Sequence, residues 1–125
     1  GLGMLLAVSV LTWIPAHIMT LSMTYASDYG CARVPRWSTV PGFASARRFS
    51  ALAIGPLPVA LVGAGWLLSI CPYSLALLGF SGAVMLGLSI WSVCQPSAKL
   101  NDVLFKFASM HMLGSTVLIT LGAMM

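Results

Sequence analysis

Glutamate is absent from this sequence, and aspartate occurs only twice, as Asp28 and Asp102. Charged residues of both signs make up 6% of 125 residues, against roughly a quarter in a soluble domain. So few charges exclude a water-facing globule, because a folded surface in water needs a mixed polar exterior. An intrinsically disordered chain is excluded as well, since 59% of the residues are hydrophobic and would stay hydrated at high cost. The three cysteines, Cys31, Cys71 and Cys94, have no Cys-x-x-Cys spacing and support neither a zinc site nor a disulfide framework. With a mean hydropathy of +0.99, the bilayer is the solvent that remains. The composition specifies an integral, all-α membrane protein.

The charges that are present fall in two short windows. One holds Asp28, Arg33, Arg36, Arg47 and Arg48; the other holds Lys99, Asp102 and Lys106. Three uncharged stretches surround them, 1–27, 49–98 and 107–125. A crossing helix needs about 20 apolar residues, so the outer stretches give one span each. The middle stretch is about twice that length and must turn once, at Ser69-Ile70-Cys71-Pro72-Tyr73, where Pro72 interrupts a helix. This predicts a single transmembrane domain over 1–125, with spans at about 2–24, 51–70, 73–94 and 104–122. Charged loops at 28–48 and 95–103 then share one side. The positive-inside rule assigns that side to the cytoplasm of a cell (plasma) membrane. The +4 net charge is accounted for by membrane topology, and no nucleic-acid partner is expected. Gly79, Ala83 and Gly87, at four-residue spacing, predict a close hairpin with Ala60 and Ala64 of the second span.

The first span carries the polar residues of most interest. His17 at membrane depth is costly unless it faces the bundle interior or a wet cavity. It stands eleven residues before Asp28, close to three helical turns, which predicts a common face about 16 Å long. Arg33 and Arg36 follow Asp28 in a compact loop. Guanidinium forks suit phosphate oxygens, and a neighbouring carboxylate suits Mg²⁺ held against the same phosphates. Asp102 and Lys106 lie on the same side at i, i+4 spacing, which also fits a surface ion pair of little consequence. His111 opens another reading, a b-type heme ligated by His17 and His111 within four helices.

The string Trp13-Ile14-Pro15-Ala16-His17, then Asp28-Tyr29, Ala32-Arg33-Val34-Pro35 and Gly42, resembles the second signature region of the heme O synthases. These are the protoheme IX farnesyltransferases among the UbiA-type intramembrane prenyltransferases. Asn101-Asp102-Val103-Leu104-Phe105-Lys106 is similar to that family's entry into its last helix. Arg33 stands where the family has glycine, and Arg36-Trp37-Ser38 stand where it has Met-Leu-Pro. The family's first motif, an asparagine and two aspartates at four-residue spacing, has no counterpart among these residues.

The resemblance implies the carboxyl-terminal four helices of a nine-helix bundle, and a chain opening at Gly1-Leu2-Gly3 reads as the later part of a longer one. It also implies farnesyl transfer from farnesyl diphosphate to protoheme IX, giving heme O, with Mg²⁺ as cofactor and heme as substrate. Asp28 is then the catalytic metal and diphosphate residue, with Arg33 and Arg36 as phosphate contacts, His17 orienting the acceptor, and Lys106 with Asp102 completing the cytoplasmic mouth of the substrate site. Missing amino-terminal helices, or a complementing chain, would supply the first motif, and without them the chain is expected to be inactive. Two alternatives stay open: a UbiA-type enzyme with another acceptor, and a small non-catalytic heme-binding or scaffold protein.

Overall fold

The computed structural model describes residues 1–33 and 42–124. Six helices follow in order: α1 (Leu2–Thr24), α2 (Ala26–Cys31), α3 (Phe43–Ile54), α4 (Pro56–Leu67), α5 (Pro72–Cys94) and α6 (Ala98–Met124). α3 and α4 run on through Gly55, whose backbone is helical (φ −51°, ψ −53°), to make one rod of membrane length. Four rods long and apolar enough to cross a bilayer result: Leu2–Thr24, Phe43–Leu67, Pro72–Cys94 and Ala98–Met124.

Helix limits and span limits differ for a physical reason. The second rod begins at Phe43, so Arg47 and Arg48 sit on a helix rather than in a loop; α6 likewise takes in Lys99 and Asp102. Hydropathy marks where lipid begins, but only glycine, proline or a cap starts a helix. Gly42, at φ 94°, and Pro96 supply those starts. At the other end, α4 stops where the sequence places the turn. Ser69 takes φ 53°, the Ile70 N–H bonds the Gly65 carbonyl (3.2 Å) and the Ser69 N–H bonds the Trp66 carbonyl (3.0 Å). This is a Schellman closure, with Pro72 opening α5 at the first turn, where its missing N–H costs nothing.

The rods form a ring in which α1 and α5 each pack against the α3–α4 rod and against α6, while α1 and α5 do not meet among the described residues. The interior is built of Ala16, Ile54, Leu57, Leu61, Leu78, Met85, Leu104 and Ala108, with buried Ser9, Thr20, Ser50, Ser89 and Asn101 among them. Large apolar side chains such as Met4, Leu11, Phe80, Met110 and Leu113 point outward, as lipid permits and water would not. Hydroxyls turn back onto their own helix, with Ser9 donating to the Leu5 carbonyl (2.8 Å) and Thr20 to that of Ala16 (2.9 Å). Such back-bonding satisfies a hydroxyl without water, whereas the hydroxyls of Ser50 and Ser89 are buried without a hydrogen-bond partner.

The predicted small-residue stripe is displaced by one register position. The buried face of α5 is Leu78, Gly82, Met85, Ser89 and Ser92, so Gly82 makes the close approach, against Pro58 of α4. A Cβ at Gly79 or Gly87 would meet nothing within 4 Å. Adjacent helical positions are rotated about 100° apart, and sequence spacing alone does not choose between two neighbouring stripes. Among the predicted partners, Ala60 and Ala64 are buried as expected.

Candidate functional site

The turn at 68–71 lies at one end of the ring, so the opposite end gathers the close of α1, the start of α3 and the start of α6. At that charged end lies a cavity of about 350 Å³, lined by Met23 and Thr24 of α1, Phe43 and Arg47 of α3, and Ala98, Asn101 and Asp102 of α6. Asn101 is 3% exposed. Its amide nitrogen gives one hydrogen to the Thr20 carbonyl (3.0 Å) and the other to Thr24 Oγ1 (2.9 Å). That locks the side chain and leaves its acceptor, Oδ1, buried without a partner. Arg47 lies over the Phe43 ring, 5.7 Å from the centroid, and its Nε is likewise buried and unpartnered.

A buried polar atom without a partner costs about 1–3 kcal/mol. Here one unsatisfied donor and one unsatisfied acceptor belong to residues lining the same space. At its rim Lys106 Nζ pairs with Asp102 Oδ2 at 2.8 Å, the helix-surface ion pair that the i, i+4 spacing allows. Chemically, the cavity suits a ligand with an anionic group for the guanidinium and a donor or a cation for the amide oxygen.

The residues singled out from sequence are spread more widely. Asp28 is exposed on the short helix α2. Tyr25, at φ −106° and ψ 26°, separates that helix from α1, so the eleven-residue spacing no longer fixes a face shared with His17. Arg33 is exposed just beyond α2, at φ 52°, and no ion pair joins it to Asp28 among the described residues. Arg36 lies outside the described residues. Lys106 is exposed and paired as above. Among the described residues, Asp102 alone of those predicted at the mouth lines the cavity. Arg47 and Asn101 carry no site role in the sequence reading. An amide at the entry to an apolar helix is the signal that marks Asn101; Arg47 becomes visible only once α3 is known to start at Phe43.

His17 sits deeper, in the seam between α1 and α6. Its ring stacks between Trp13 (centroids 4.6 Å apart) and Phe105 (4.8 Å), and its Nδ1 is 3.3 Å from Ser109 Oγ. Trp13 Nε1 donates to the Ala108 carbonyl at 3.3 Å, which fixes the outer ring of the stack. His111 occupies a different seam. It is buried, and it lines a space of about 210 Å³ with Leu77 and Ser81 of α5 and Gly114 and Ser115 of α6. Neither of its ring nitrogens has a hydrogen-bond partner. The two histidines do not converge as a heme-ligating pair would require. Among the described residues no three His, Cys, Asp or Glu side chains gather to hold a metal ion by themselves.

Comparison with known proteins gives a consistent picture. The chain is 30% identical over 119 residues to protoheme IX farnesyltransferase 2 of Cenarchaeum symbiosum, covering 89% of this chain and 38% of that protein. It is 38% identical over 106 residues to protoheme IX farnesyltransferase 1 of Paramagnetospirillum magneticum, covering 78% of this chain and 35% of that protein. With protoheme IX farnesyltransferase of Archaeoglobus fulgidus it shares 29% identity over 104 residues, 83% of this chain and 31% of that protein. The chain thus spans about a third of the length of the curated relatives it matches. No family model matches it, and no solved structure matches it.

Proposed function

Because the chain belongs to the protoheme IX farnesyltransferase family, we propose that it forms part of an intramembrane enzyme transferring farnesyl from farnesyl diphosphate to protoheme IX. The carrying observation is the charged-end cavity, where Arg47 Nε and Asn101 Oδ1 are both buried and unpaired. In this reading the diphosphate enters there. Arg47 holds its oxygens, Arg33 and Lys106 add positive charge at the same end, and Arg36 is carried from the sequence as a further phosphate contact. Asp28 is the exposed carboxylate left to meet hydrogen-bond donors or a cation such as Mg²⁺ supplied from outside these residues.

Diphosphate leaves with the electron pair of the farnesyl C–O bond, and the allylic carbon so exposed bonds to a vinyl carbon of the porphyrin. Water adds to the porphyrin-side cation and releases a proton, giving the hydroxyethylfarnesyl side chain. Apolar Met23, Phe43 and Ala98 beside Arg47 strengthen its hold on the departing charge. His17, fixed by its stack, orients the porphyrin.

The test is complementation. The purified chain, in nanodiscs with farnesyl diphosphate, heme and Mg²⁺, is expected to yield no heme O. The same chain, reconstituted with a relative's segment that carries the asparagine and two-aspartate motif, is expected to yield it. In the second preparation Asp28→Asn is expected to lower the yield. Product from the chain alone, or none from the complemented pair, contradicts the reading.

The charged end is expected to face the cytoplasm across the plasma membrane. The three exposed cysteines allow a direct check. In intact cells an impermeant thiol reagent should label Cys71, at the turn, and spare Cys31 and Cys94 until the membrane is opened. The reverse pattern would invert the topology.

A further inference from the structure

The two histidines differ in how they are held, and that difference selects one of them. Flanking rings fix the plane of His17 from both sides. Its Nδ1 neighbour, Ser109 Oγ, also lies 3.0 Å from the Phe105 carbonyl. A serine hydroxyl has one hydrogen to give, and a carbonyl only accepts. That hydrogen therefore goes to Phe105, and Oγ accepts from Nδ1–H. The proton of the neutral ring is thereby assigned to Nδ1, which leaves Nε2 with a free lone pair. Metal-ligating histidines are held in this way, one N–H tied to an oxygen and the other nitrogen bare. His111 has no such tie: both its nitrogens are unpartnered, and the residue is 6% exposed. His17, by contrast, is only half-buried.

We infer that His17 Nε2 is the axial ligand for the iron of an iron porphyrin lying against the α1–α6 seam. This inference rests on the proposal that a heme is the acceptor, and it adds the atom that holds it. The lone pair is donated to iron with no change of oxidation state and no proton released, because Nδ1 keeps its own. His17 precedes Thr24 of the charged-end cavity by seven residues. Along a helix that is about 10 Å, so ligation would set the porphyrin at a fixed depth below the proposed diphosphate site.

The test titrates the whole chain, in lipid nanodiscs, with hemin and separately with metal-free protoporphyrin IX. Hemin is expected to give a histidine-ligated Soret band and spin-resonance signal. His17→Ala should abolish both, and added imidazole should restore them. Ser109→Ala should weaken hemin binding about 10-fold, and His111→Ala should leave it unchanged. Nitrogen NMR of the porphyrin-free chain should show the His17 proton on Nδ1. A ligated spectrum that survives His17→Ala, or a proton on Nε2, overturns the inference. If both porphyrins bind equally with no axial signal, His17 ligation fails while a porphyrin acceptor stands. If neither binds, both fail.

Discussion

Arg47→Ala is expected to lower farnesyl transfer by the complemented enzyme about 100-fold, the scale of one charge-assisted contact to a departing anion. Position distinguishes the two neighbouring arginines. Of the adjacent pair Arg47 and Arg48, only Arg47 lines the cavity; Arg48 is exposed. Arg48→Ala should therefore leave the rate nearly unchanged, although net charge falls equally in both variants. Arg47→Lys should recover part of the loss, since the charge returns but the planar fork does not. Initial rates across farnesyl diphosphate concentrations, with circular dichroism to verify helicity, decide the matter. Equal losses for Arg47→Ala and Arg48→Ala would reduce the site to general surface charge.

Gly82→Ala is expected to destabilise the bundle by about 1–3 kcal/mol, the usual cost of overpacking, whereas Gly79→Ala and Gly87→Ala should be neutral or gain up to about 1 kcal/mol from helix propensity. A Cβ on Gly82 would run into the Cβ of Pro58 and lie 3.6 Å from its Cα. The proline ring is rigid and the rod behind it is packed, so α4 and α5 must separate. Nothing stands within 4 Å of a Cβ at the other two positions. Titration into mixed denaturing micelles, followed by tryptophan fluorescence, would rank the three. The opposite order would restore the Gly79-Ala83-Gly87 face as the packed one.

These two expectations mark where reading the sequence stops. Span number, the turn at Ser69 and Pro72, and the gathering of charge at one end were legible because each depends on local composition against a bilayer of fixed thickness. The relationship to the farnesyltransferases was legible from the Trp13 to Gly42 string, since a motif is itself a local pattern. His17 was legible as a polar residue at membrane depth, and its stack with Trp13 reflects the four-residue spacing within α1. Its contacts with Phe105 and Ser109 were not, because those residues lie 88 and 92 positions away.

What the tertiary structure alone decided is which neighbouring residues share a space. The helix break at Tyr25 separates Asp28 from the His17 stripe, and the early start of α3 carries Arg47 to the close of α1. Asn101 gains its partners from Thr20 and Thr24 across the seam, leaving a buried acceptor on a residue that lines the same cavity as Arg47. Burial and pairing are properties of surfaces brought together by packing. A rotation of about 100° per residue turns a one-position ambiguity into a different face, so local pattern names the helices but not the side chains that meet between them.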